Sequence, residues 1–150
     1  MQKAYKISIL YFLLFSLLLL ASSIALFEVK IGFSLDAVLE YYQGNEEKFI
    51  PAKSSIGVLK IILPHIFGFG LFGMVLLHFL IFTKFKKSKQ FYIFIYLTFS
   101  LLFLEMFTPF FIIWGIQFFA YFKLFSFILL ELILLYIFYL LFKTIVRYVM

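Results

Sequence analysis

The sequence predicts an all-α integral membrane protein, a four-helix bundle with both termini cytoplasmic and a short amphipathic helix in its outer loop. Three observations predict this class. Of 150 residues, 66% are apolar and 13% charged, against about 45–50% and about 25% in soluble domains, and so short a chain has too little interior to hide that apolar surface. Four runs reach the roughly 20 residues needed to cross a hydrocarbon core of about 30 Å. The net charge of +6 is unevenly placed. Lys3, Lys6, Lys84, Lys86, Lys87, Lys89, Lys143 and Arg147 fall in three segments that contain no acid. Lys30, Lys48, Lys53, Lys60 and Lys123 share the opposite side with Glu28, Asp36, Glu40, Glu46 and Glu47. That split follows the positive-inside rule. A basic soluble chain would suggest nucleic acid; here the charge sets orientation, and no nucleic-acid partner is expected. Twelve Lys to one Arg, with abundant Phe and Ile, point to an AT-rich bacterial genome.

The chain reads as one transmembrane domain over residues 1–150. Its first span, 7–27, is 21 residues without a charge. The second, 61–82, has a helical lead-in from Ser55; the third is 91–113 and the fourth 124–142. Residues 114–123, with Trp114 and Tyr121, read as a turn in the interface where Trp and Tyr prefer to sit. The third and fourth spans then form an antiparallel hairpin. A competing reading treats Lys3, Lys6, the apolar run and Ser23-Ile24-Ala25 as a cleavable signal peptide; the run exceeds the usual 7–15 residues, which favours an uncleaved anchor.

The outer loop, 28–55, is the one sizeable hydrophilic stretch. Ser34 suits an N-cap, Asp36 a first turn, and Gly44 a left-handed helix end. Leu35, Val38, Leu39 and Tyr42 recur at helical spacing, so Leu35–Gln43 reads as an amphipathic helix lying on the membrane or capping the bundle. Residues 44–48 form a turn, and Pro51 stops any helix before it. With no Cys there is no disulfide or thiolate site. There is no internal repeat and none of the Walker, HExxH or GxSxG patterns, which leaves soluble-type enzymology without a foothold.

Ionisable groups at membrane depth cost about 2.5–3.5 kcal/mol each on insertion scales and mark candidate sites. Four occur: His65, His78, Glu105 and Glu131. At 1.5 Å per residue, His65 lies about 6 Å, Glu105 about 12 Å and Glu131 about 10 Å from the outer edge. Three helices thus offer a polar group at similar depth, a candidate metal set of His65, Glu105 and Glu131. Pro109 cannot donate to the carbonyl of Glu105, which predicts a kink and a free carbonyl beside the carboxyl. Such a place suits water, a proton or a metal. The bland alternative is that each Glu bonds a neighbouring helix as packing glue.

His65 and His78 stand about 20 Å apart along one helix and about 140° apart around it, which suits one cofactor near each face. Haem b is the candidate, with Met106 as a second ligand and Gly68, Gly70 and Gly73 as a slot for a flat ring. Close helix packing explains those glycines equally well. Met74 shares the histidines' helix and is the poorer ligand. Pro64 bends the start of the second span or stands in its first turn.

Tyr41-Tyr42-x-Gly44-x-Glu46-Glu47, Lys53-Ser54, His65-x-Phe67 and His78 with Thr83 together resemble a group of small bacterial inner-membrane proteins, over roughly residues 33–83. The resemblance implies that the outer loop and second span form the functional unit, with His65 and His78 at its centre. It brings no activity with it. The group's usual His two places before the first is Leu63 here, which removes a His-x-His chelate.

Two functions from different classes follow. One is a redox-linked membrane protein holding haem b or a metal ion, with Glu105 and Glu131 handling protons or a quinone. The other is a non-catalytic accessory or assembly subunit whose partner is another membrane subunit or a second copy of the chain. A proton or cation conductor is weaker, because one polar layer does not make a continuous route.

Overall fold

A computed structural model of the protein describes residues 3–83 and 88–147. Lys84, Lys86 and Lys87 of the expected inner loop lie outside the described residues, as do the side chains of Lys3 and Arg147. Among the described residues there are five α-helices and no strand: α1 (Lys3–Lys30), α2 (Leu35–Gln43), α3 (Ser55–Phe79), α4 (Lys89–Ile113) and α5 (Phe119–Arg147). A 3-10 turn, Leu80–Phe82, extends α3. Four of the helices, all but α2, are long and apolar enough to cross a membrane.

Spans 7–27, 91–113 and 124–142 lie inside α1, α4 and α5, and span 61–82 is covered by α3 together with its 3-10 turn. The largest differences are at α5, which begins at Phe119, five residues before 124, and ends near 147. The interfacial turn is correspondingly shorter. Gly115 stands at φ +92° between α4 and α5, a backbone region that costs glycine little. Pro64 lies nine residues beyond the first residue of α3, so it is not in the first turn.

The expectation for α2 holds residue by residue. Ser34 caps it, accepting from the Ala37 amide at 3.1 Å, and Asp36 sits in the first turn. Gly44 ends it at φ +80°, where a Cβ would stand 2.5 Å from the Ala52 amide nitrogen. The chain then doubles back through paired Asn45 and Ile50 backbones and returns to α2 through the Lys53 amide on the Tyr42 carbonyl. Val38 and Tyr42 are buried against α4 and α5. Of the two placements open to it, α2 caps the bundle.

The hairpin of α4 and α5 makes the most extensive helix contact, α1 packs on α5, and α3 packs mainly on α4. Ile9 of α1, Phe79 at the end of α3, and Leu141 and Ile145 of α5 meet at one end, so the first and last described residues lie toward it. We call it the termini end, and the opposite pole the α2 end. Apolar side chains close the interior toward the termini end, with Leu13, Leu76, Leu134, Ile137 and Leu141 in one cluster. A smaller cluster of Val38, Tyr42, Val58, Ile62, Met106 and Ile112 lies toward the α2 end.

Candidate functional site: a polar cavity at the α2 end

The site grows from the hairpin. Its turn centres on Trp114, so residues equally distant from Trp114 along the two antiparallel helices face each other, and Glu105 and Lys123 are each nine positions away. The Lys123 ammonium pairs with the Glu105 carboxylate. The same ammonium donates at 3.1 Å to the Glu105 backbone carbonyl. That is the carbonyl which Pro109 leaves without its helical partner. The Ser126 hydroxyl, one turn further along α5, donates to the second Glu105 oxygen at 2.8 Å. The free carbonyl foreseen beside Glu105 is therefore taken by a cation, and α4 runs through Pro109 as a single helix.

Lys123 is the main correction to the sequence reading, which placed it at the end of the interfacial turn 114–123. It is 6% exposed, because α5 starts early enough to carry it inside. An isolated Lys in an aromatic run, mirrored by Glu105 across a turn, was the signal available. Ion pairing lowers the desolvation penalty for both groups, and removing one partner leaves a buried charge.

Glu131 lies two turns beyond Lys123, twelve residues into α5 and hence about 18 Å along it, deeper than expected. It is 6% exposed. Ser23 of α1 faces its carboxyl, yet its Oε2 atom is buried without a hydrogen-bond partner. Thr98 and Thr108 have buried hydroxyls in the same condition, but neither lines the cavity that Glu131 borders. Glu131 lines this cavity of about 580 Å³, to which all five helices contribute, together with Glu105, Lys123, Tyr42, Met106 and His65.

Tyr41 and Tyr42 form the roof. Their rings meet edge-on, and the Lys53 ammonium sits 4.1 Å above the Tyr41 ring centre, a cation–π contact. Burial, then the nearby Glu105 charge and Tyr41, push the Tyr42 phenol well above its usual range. Burial also raises Tyr41, opposed by Lys123. Both stay neutral hydroxyls across the physiological range. Gln43 locks α2 in place by donating at 2.8 Å to the Ile112 carbonyl at the end of α4.

The proposed site residues divide. His65, Glu105, Glu131, Met106 and Gly68 all line this one cavity. His78 does not; it is exposed at the termini end, thirteen residues along α3 from His65. Gly73 packs against Leu102, where a Cβ would lie 3.4 Å from it, and Gly70 is off the cavity wall. The glycines thus make no slot for a flat ring, and haem b does not fit the set proposed for it. His65, Glu105 and Glu131 share a wall without converging: no group of three His, Cys, Asp or Glu residues that could hold a metal exists among the described residues. Lys123 and Ser126 already occupy both Glu105 oxygens. Sequence reasoning also passed over Ser126 and the Ser23–Glu131 approach, which involve single serines in apolar helices.

A family model described as a transmembrane helical domain matches residues 32–148, which takes in every helix after α1. That description is one of architecture and names no activity. No curated protein and no solved structure matches the chain. With most of its length matched, including four of the five helices around the cavity, the chain belongs to that family of transmembrane helical domains.

Proposed function

We propose that this membrane protein binds a small lipid-soluble molecule of the quinone–quinol type in the cavity at the α2 end, with Glu131 as the anchor for its polar head. One observation carries the reading: a carboxyl oxygen buried without a partner at the wall of a space of about 580 Å³. Leaving a buried acceptor or donor unsatisfied costs about 1–3 kcal/mol, so a molecule that completes its bonding gains what the empty site lacks. A carboxyl can accept from a quinol hydroxyl or, protonated, donate to a quinone carbonyl. The Glu105–Lys123 pair is fixed by Ser126 and the Glu105 carbonyl and supplies a rigid polar wall. Phe69, Phe127 and the Tyr41–Tyr42 roof supply apolar and aromatic surface for a ring, as small-molecule sites generally do.

Binding is what we propose; no electron-transfer step is assigned to this chain, and no haem or metal ion enters it. The lysines at the termini end support an orientation with that end cytoplasmic and α2 outward, and the Lys-rich, AT-type composition supports the bacterial inner membrane.

The test is calorimetric titration of the protein in nanodiscs with a decyl-substituted benzoquinone, against empty nanodiscs. Saturable binding is expected above the partition background. Glu131→Gln should weaken it by about twofold to tenfold, the effect of one net hydrogen bond of about 0.5–1.5 kcal/mol. No binding beyond empty nanodiscs would refute the reading and leave the accessory-subunit alternative in its place.

A further inference from the structure

The cavity wall is of two kinds. The part contributed by α2, α4 and α5 is shut: Tyr42, Met106, Lys123 and Glu131 are buried. The part contributed by α1 and α3 is not. Leu19, Ser22 and Leu26 on α1, and His65 and Gly68 on α3, line the cavity and are exposed as well. A residue that does both stands at a mouth, so the mouth lies between α1 and α3.

The contacts between those helices explain the gap. Phe12 of α1 meets Phe72 and Phe79 of α3, with ring centres 6.1 and 5.1 Å apart, in the termini half. Gly68 lies toward the α2 end from there, and a Cβ on it would meet nothing within 4 Å. Gly68 is the fourteenth residue of the 25-residue α3, and Leu19 the seventeenth of the 28-residue α1. The mouth therefore begins near mid-height of two membrane spans, where it faces hydrocarbon, and runs toward the α2 end, where His65, Leu26 and Lys30 are also exposed on the cavity wall. Over the α2 pole the cavity is roofed by Tyr42 and held by the Gln43–Ile112 bond.

We infer that the gap between α1 and α3 is a lateral doorway holding the tail of the bound molecule, so that the ligand is a tailed lipid: its polar head at Glu131, its hydrocarbon chain passing between Leu19 and Gly68 into the bilayer. This inference rests on the cavity being the site of a lipid-soluble ligand. A head at a buried carboxyl and an exit at membrane depth together require an amphiphile. Leu19, Ser22 and Gly68 at the mid-height lips carry no charge to repel a chain, and the one exposed cation on the cavity wall, Lys30, is the last residue of α1, beside the α2 end.

Two probes separate the possibilities in the nanodisc titration: the decyl-substituted benzoquinone and the same ring without its decyl chain. Gly68→Phe fills the gap in open space, and Ser22→Leu narrows the opposite lip, so each checks the other. Both variants should lower affinity for the decyl probe at least tenfold more than for the short one, with melting temperatures near that of the wild type. Glu131→Gln should weaken both probes alike. If both probes bind the wild type and the gap variants affect them equally or not at all, the doorway is wrong while the binding reading stands. If phospholipid chains alone filled the gap, that same indifference would be seen. If neither probe binds the wild type, both readings fail.

Discussion

At the termini end, Leu13, Leu76, Leu134 and Leu141 close the interior with no side chain more than 2% exposed, whereas at the α2 end the helices part around a cavity of about 580 Å³. Both regions are built from the same apolar helices, and they differ in what interrupts them. Toward the termini end, Leu, Ile and Phe interdigitate, with packing as the main attraction available between helices in lipid. Toward the α2 end, Glu105, Lys123, Ser126 and Glu131 enter the interior from two helices. An ion pair and its hydrogen bonds need fixed geometry, which holds α4 and α5 in register but leaves α1 and α3 nothing to close upon. Polar groups in this bundle thus both fasten one helix pair and keep another open.

The sharpest way to break the comparison is to remove the fastening. Lys123→Met leaves the Glu105 carboxylate without its counter-charge and its Pro109-freed carbonyl without a donor, a loss of about 3–5 kcal/mol, and should abolish accumulation in the membrane. Adding Glu105→Gln should restore part of it, because the buried charge is then gone. Membrane-fraction immunoblots of the single and double variants would show this; equal yields of wild type and Lys123→Met would contradict a structural ion pair.

Next in size is a pair of matched truncations. Leu134→Ala at the closed end creates a new void and should fall toward the lower part of the roughly 2–5 kcal/mol range for such changes, since in lipid chiefly the packing part remains. Leu130→Ala, one turn away but on the cavity wall, only enlarges an existing space and should lower the melting temperature less. Equal shifts would mean that the cavity is collapsed in the membrane.

The smallest effect appears only in alkali. The Tyr42 phenol is raised in the folded protein, so its contribution is fully present below the unfolded value of about 10 and is lost as pH climbs from there through the folded value. Melting temperatures should therefore fall above pH 10, and Tyr42→Phe should make that fall shallower without changing the neutral-pH value.

Much of this was written in local pattern. Four apolar runs of membrane length give the spans, and Ser34, Asp36 and Gly44 give the limits of α2. Depth along the helices was enough to bring His65, Glu105 and Glu131 to one cavity. Lys123 was misplaced because charge counting assigns a residue to a side by its sign and neighbours, while its burial depends on where α5 begins. The aromatic run 118–122 suits an interface and a helix start equally well. The thirteen residues between His65 and His78 already put them near opposite faces, and the structure keeps His78 off the cavity wall. The mouth between α1 and α3 had no local signature at all, since it depends on the separation of two helices that are not adjacent in the chain.

The most direct measurement is the infrared difference spectrum of the protein in nanodiscs with and without the decyl-benzoquinone, in the carboxyl stretching region. Anchoring at Glu131 predicts a difference band on adding the probe that disappears in Glu131→Gln. An identical difference spectrum in wild type and Glu131→Gln would show that the free oxygen of Glu131 is not where the head binds.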